Sequence, residues 1–204
     1  MNENSSNSSK QILISILGVA ILIVAVVGIS FAAFTYAKTG ATTNTITTGT
    51  ITMGYTEPTN GINLTDALPI TDTAGKALSG DNNTFDFTVT ATIAGTTTIN
   101  YAITAVKGDG CTLADDGIKV YLTDQNDAEV LAPTKVTALS KTVAGNDAGA
   151  PADQYVLKTG TYSTVGTTTE NYRLRMWVAD DYVAPATSQK YILKVNVYGA
   201  AAAQ

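Results

Sequence analysis

The chain has 204 residues and a net charge of −5, so it has no basic surface for nucleic acid and no polybasic segment for anionic lipid. It contains no histidine, which closes His-ligated zinc sites and Ser-His-Asp or Cys-His catalysis to it. Its one cysteine, Cys111, rules out a disulfide scaffold, and its place is that of a small half-buried hydrophobe.

The polar stretch Met1–Lys10 carries a single cation, Lys10. From Ile12 to Ala33 there is no charge, and only Ser15 and Ser30 are polar. At 1.5 Å per residue such a helix reaches ~33 Å, enough to cross a bilayer, and in lipid it must be helical because no water satisfies its backbone. Two fates stay open, a secretory signal peptide or a permanent anchor, which would place everything downstream outside the cell. Ser30-Phe31-Ala32 sets small residues three and one before the Ala32–Ala33 bond, a pattern a signal peptidase accepts. Thr35-Tyr36-Ala37 offers a second site. The expected organisation is therefore residues 1–32 as signal or anchor, 33–43 as a free N-terminal segment, 44–199 as one folded domain and 200–204 as a tail.

Beyond the apolar stretch the pattern changes to period two. Thr45–Tyr55 reads as a strand, and Thr84–Ile93 is the clearest one: Phe85, Phe87, Val89, Ala91 and Ile93 face one way, Asp86, Thr88, Thr90 and Thr92 the other. Ala94-Gly95-Thr96 reads as the turn of an antiparallel hairpin to Thr98–Val106, with Ile99, Tyr101, Ile103 and Ala105 inward. Ile118–Thr123, a weaker Thr134–Val143, Gln154–Tyr162, Asn171–Val178 and Tyr191–Tyr198 complete about eight strands. In the last, Lys194 and Asn196 fall on the outward side. The loops 57–80 and 144–153 are long enough to hold short helices or to cover one end of the fold. Short strands divided by Gly, Asp, Asn and Pro predict an all-β protein, a single antiparallel β-sandwich of jelly-roll or immunoglobulin-like kind, preceded by one N-terminal hydrophobic helix.

Few residues invite chemistry. Asp115-Asp116, Asp124-Gln125-Asn126-Asp127 and Asp180-Asp181 could give oxygens to calcium, but none has the spacing of a calcium loop, and turn solvation accounts for them. No catalytic residue, metal or cofactor is expected. Arg173, Arg175 and Trp177 alternate onto one strand face and are a candidate surface contact for a sugar or a partner chain; the alternative is an outward face on which the arginines shield the tryptophan.

The junction between apolar stretch and first strand carries the most specific pattern. A leader ending Ser30-Phe31-Ala32, then Ala33-Phe34, a polar run, and Asn44-Thr45-Ile46-Thr47-Thr48-Gly49-Thr50-Ile51 resembles the TasA/camelysin family of secreted fibre proteins, closely over residues 12–55. The family motif falls on Asn44, Thr45 and Gly49. The resemblance implies a jelly-roll-like sandwich, export with cleavage after Ala32, and assembly of identical subunits into extracellular fibres of a cell surface or biofilm matrix. It further implies that Ala33, Phe34, Thr35, Tyr36, Ala37, Lys38 and Thr39, within the segment 33–43, act as a donor strand lent to the next subunit, which makes the partner a second copy of the chain in a head-to-tail filament. Membrane contact would be limited to the uncut helix. The metallopeptidase classification of camelysin-type members does not carry over to a chain without histidine. A membrane-anchored adhesin or decoration domain with an uncut helix is the alternative.

Overall fold

A computed structural model describes residues 35–39, 44–48, 51–57, 62–80, 83–95, 97–183 and 188–202. The chain divides into two units, Met1–Phe34 and Thr35–Gln204, and every described residue belongs to the second. The apolar stretch 12–33, the Ala32–Ala33 bond, Phe34 and Gly49 therefore lie outside the described residues, as do positions 40–43.

Among the described residues the chain runs β1 (Thr35–Thr39), β2 (Asn44–Thr48), β3 (Ile51–Thr56), β4 (Asn63–Thr65), β5 (Pro69–Ile70), helix α1 (Asp72–Lys76), β6 (Thr84–Ile93), β7 (Ile99–Lys107), β8 (Ile118–Asp124), β9 (Glu129–Lys135), β10 (Tyr155–Tyr162), β11 (Gly166–Ala179) and β12 (Lys190–Ala201). They form two sheets. The five-stranded one is ordered β1-β12-β7-β10, with β4 also on β12; the seven-stranded one is ordered β2-β3-β6-β11-β8-β9, with β5 also on β11. Pairing is antiparallel except between β5 and β11. The sheets pack as the β-sandwich that the alternation predicts.

The period-two side chains build the core. Phe85, Phe87, Val89, Ala91 and Ile93 of β6 are buried, and Ile99, Ile103, Tyr191, Val195 and Val197 answer them from the other sheet. Phe87 stacks on Tyr172 with ring centroids 5.4 Å apart and meets the edge of Tyr55 at 5.8 Å, an arrangement aromatic rings favour. On the wet face of the β6–β11 pair, Thr88 donates to Asn171 at 2.7 Å, and Asp86 receives two bonds from Arg173, its register partner.

Several expectations need correction. Strands β6 and β7 do not form a hairpin: β6 pairs with β3 and β11, β7 with β12 and β10, so the connection through Ala94-Gly95 passes from one sheet to the other. The segment read as Thr45–Tyr55 is two antiparallel strands, β2 and β3, with Thr48 opposite Ile51. The strand placed at Thr134–Val143 lies earlier, at Glu129–Lys135, and gives way to a 3₁₀ turn at Val136–Ala138. The last strand continues through Ala200 and Ala201, pairing with Asn100 and Ile99, so the tail begins later than residue 200.

Two coverings lie on the outer faces. The loop 144–153 sits over the five-stranded sheet, where Ala148 and Ala150 join Ala102 and Tyr198 in a small buried cluster. Beneath it, Thr104 donates to Gln154 at 2.5 Å, Gln154 donates to Tyr198 at 2.9 Å and Asn196 to Gln154 at 3.3 Å. Asn196, expected on a wet face, is thus fully buried. Helix α1 covers part of the other sheet. Thr71 caps it by accepting from the Ala74 N–H, Asp72 sits in its first turn and Lys76 in its last, each favourable for the helix dipole.

Candidate functional site

The sheet edges differ from one another more than any other feature of the surface. Among the described residues the strand order ends at β1 and β10 on one sheet and at β2 and β9 on the other. Strand β9 contains Pro133, breaks register with β8 between Val120 and Leu122 and again between Leu122 and Thr123, and is tied at its ends by Lys76–Glu129 at 2.9 Å and Lys135–Asp181 at 2.7 Å. Strand β10 carries a bulge between Val156 and Lys158, points Lys158 into the space between the sheets, and is crossed at Tyr155 by a bridge from Lys141. Proline, bulges and inward charges are the devices that stop an edge from pairing with another chain.

Strands β1 and β2 contain neither proline nor bulge, and the one charge between them is Lys38 of β1. Each keeps an unbroken register with its neighbour: Thr35 opposite Ala200 through Thr39 opposite Asn196 for β1, and Asn44 opposite Tyr55 through Thr48 opposite Ile51 for β2. Among the described residues no strand pairs with the outer side of either. The residues Thr35, Tyr36, Ala37, Lys38 and Thr39 therefore form the terminal strand of the five-stranded sheet, laid on β12 of their own chain. Strand β4 continues the same edge, pairing with Lys190–Ile192. Asn44 and Thr45 of the sequence motif open β2.

The face of Arg173, Arg175 and Trp177 is not an open stacking surface. Trp177 is only 2 % exposed, because Gly75 of α1 lies directly against its indole ring. Arg175 is buried as well: it donates to the Leu78 carbonyl at 2.8 Å and to Thr123 at 3.2 Å, and pairs with Asp127 at 3.3 Å. Arg173 alone remains at the surface, its guanidinium held by Asp86, whose carboxyl it keeps below the usual range. Sequence alternation placed the three correctly on one side of β11; the short α1 that covers two of them has no periodic signal of its own.

Two polar clusters emerge, one around Glu170, which the sequence reading does not single out, and one around Asp115, which it assigns to turn solvation. Glu170 accepts hydrogen bonds from Tyr162 at 2.6 Å and Tyr172 at 2.5 Å, and Lys158 donates to Tyr172 at 2.6 Å. Tyr101 stacks on Tyr162 at 4.4 Å, so β7, β10 and β11 are stitched across the two sheets. Asp115 repeats the pattern with Tyr155 at 2.6 Å, Lys107 at 2.7 Å and Tyr191 at 3.2 Å. Burial pushes both carboxyls up, but the tyrosine and lysine bonds outweigh it and hold them below their ordinary values. Burial, aided by Glu170, pushes Tyr162 and Tyr172 well up. Glu170 thus staples β11 to β10 of the other sheet, whereas Asp115, in the turn 115–117, ties that turn to β7, β10 and β12 of the five-stranded sheet; both carboxylates are saturated rather than free bases. A buried tyrosine hydroxyl needs a partner, which is the one signal that could have found them.

The other acidic groups are similarly engaged. Asp124 accepts from the Asn126 and Ala128 N–H groups and so shapes the β8–β9 turn, and Asp180 faces Lys119 at 3.7 Å. Among the described residues no group of three His, Cys, Asp or Glu side chains is placed to hold a metal ion. Cys111 is half-buried, bonded to the Gly108 carbonyl and the Ile192 N–H. A groove of about 420 Å³ lies on the five-stranded sheet between β10 and the covering loop, lined by Asn100, Lys141, Val143, Asp147 and Thr159. No protein-family model matches the sequence, and a search of curated proteins returns no match.

Proposed function

We propose that this chain is a secreted structural subunit that assembles into extracellular fibres of a cell surface or biofilm matrix, each copy lending its N-terminal segment as a strand to the next. The observation that carries this is the position of β1: a terminal strand with an unbroken register, no proline and no bulge, and Lys38 as its one charge, on a sandwich whose opposite edges are both blunted by a register break. The sequence likeness to the TasA/camelysin family points the same way and supports a jelly-roll-like sandwich, cleavage at Ala32–Ala33 and an outer location. When β1 leaves β12, the edge from Asn196 to Ala200 is open to the same segment of a neighbour, and a head-to-tail contact that does not close on itself gives a filament. No cofactor, nucleic acid or enzymatic step enters.

The test compares purified residues 33–204 with a form lacking 33–43. Fibres visible by electron microscopy are expected of the first and soluble monomers of the second, and a synthetic 33–43 peptide should slow polymerisation. Polymerisation of the truncated form at an unchanged rate would rule the proposal out. A tethered display domain with an uncut helix is the alternative, favoured by the pairing of β1 within its own chain. N-terminal sequencing of the surface protein separates the two, since an intact Met1 selects the tether.

A further inference from the structure

We propose that β2 is a second docking edge, at which two copies of this chain pair antiparallel about a two-fold axis centred on Ile46. This surface is separate from β1 and does not depend on strand exchange there. Three observations converge on a second copy as the occupant.

The first is the contrast among edges. On the seven-stranded sheet, β9 is guarded by Pro133 and two register breaks, whereas β2 at the other end, Asn44–Thr48, has a continuous register and neither proline nor charge. The second is charge. From Thr39 to Thr56 the chain has no Asp, Glu, Lys or Arg, although its net charge is −5. Copies that repel one another elsewhere meet here along a neutral strip, which sets no like charges face to face when the strand pairs with its own copy.

The third is register. The Asp124 N–H turns toward β9, and alternation carried through the registers of β8, β11, β6 and β3 turns the main-chain groups of Ile51, Met53 and Tyr55 toward β2, where they meet Thr48, Ile46 and Asn44. Alternation then turns the main-chain groups of Thr48, Ile46 and Asn44 toward β3 and those of Thr45 and Thr47 outward. Antiparallel self-pairing centred on Ile46 sets Thr45 of one copy against Thr47 of the other, twice over, so every outward group of the strand finds a partner. Threonine pairs suit such positions. The same patch serves both copies, as a two-fold contact requires.

The test uses the full chain in detergent with Cys111→Ser as background. In the proposed register the two Ile46 Cα atoms form a non-hydrogen-bonded pair about 4.5 Å apart, within disulfide range. Ile46→Cys should therefore give a disulfide-linked dimer under mild oxidation, while Thr159→Cys, exposed on the blunted β10, stays monomeric. Thr47→Pro removes an outward N–H without touching the β3 ladder, and should abolish the dimer with the circular dichroism unchanged. Should the proline disturb the fold, Thr45→Lys/Thr47→Lys sets cations opposite one another across the axis and should abolish it likewise. Equal cross-linking at 46 and 159, or a dimer that survives both variants, overturns the proposal.

Discussion

Replacing Gly75 by alanine is expected to destabilise the fold, although alanine is the better helix former. Gly75 is the buried residue of α1, and a Cβ there would fall inside the van der Waals radii of the Trp177 ring carbons Cδ2, Cε2 and Cε3. Trp177 has little room to retreat, being buried in β11, where Lys119 of β8 is its register partner and β5 pairs with the next residue, Val178. Forcing such an overlap costs about 1–3 kcal/mol. Against it stands the helix preference of alanine over glycine, up to about 1 kcal/mol in a helix interior and less in a helix of 5 residues. The clash wins, leaving a net loss of about 1–2 kcal/mol. Trp177 is the sole tryptophan, so its emission reports on the site. In urea unfolding the Gly75→Ala midpoint should fall with an unchanged slope. Gly54→Ala is the control, because its Cβ would meet Thr90 at an ordinary 3.8 Å and should leave the midpoint nearly in place. A raised or equal midpoint for Gly75→Ala, together with a native tryptophan that acrylamide quenches as freely as in the unfolded chain, would show that α1 does not cover this face and that Arg173, Arg175 and Trp177 are open to a partner.

Arg175→Ala should cost about 2–3 kcal/mol, because it strands the Leu78 carbonyl and Thr123 in a buried setting; Arg175→Lys should recover little, since one ammonium cannot reproduce a planar fork, and thermal unfolding of the two variants checks this. Asp115 and Glu170 have folded pKa values below their ordinary 3.8 and 4.5, so their stabilisation is complete above those values and is lost as pH falls through the folded ones. Melting temperature should therefore hold from neutral pH to about 4.5 and drop below it, less steeply in Tyr155→Phe. At the alkaline end the sign reverses: the hydrogen bond to Asp115 pushes Tyr155 up to about 12, and burial pushes Tyr162, Tyr172 and Tyr191 higher, from an ordinary 10.0. Their contribution is complete below pH 10 and disappears as pH rises beyond it; phenolate absorbance should show these tyrosines ionising only as the protein unfolds.

Legibility in the sequence tracked burial contrast. Thr84–Ile93 was read with its correct ends because one face is core and the other wet. Pairing partners were another matter, since alternation says which way a side chain points and nothing about which strand lies alongside; hence β6 and β7 were expected in one hairpin and lie in two sheets. The first five residues of β11, Gly166–Glu170, fall outside the strand expected at Asn171–Val178, because threonines on an exposed stretch show no period. Strand β9 was displaced because Pro133 and an edge position remove the alternation that marks a strand. Asn196 was assigned to solvent because nothing local foretells that a loop from 144–153 closes over its sheet. For the candidate site, the residues of β1 and β2 were named from the sequence, whereas the guarding of β9 and β10 needed the sheet order.

The described side chains are largely consumed by one another. Carboxylates bind tyrosine, lysine and arginine, and the cations they meet are spent in turn. The outer edges of β1 and β2 offer a partner a ladder of main-chain groups, and such a ladder carries no net charge. The electrostatic opposition to association through it is the repulsion between copies of net charge −5. Added salt shortens the Debye length from about 30 Å at 0.01 M to about 8 Å at 0.15 M, which removes that repulsion without weakening the ladder. Self-association measured by sedimentation should thus strengthen between these ionic strengths. An interface built from ion pairs would respond in the opposite sense, and a loss of association with salt would place the contact on charged side chains rather than on the plain edges of the sandwich.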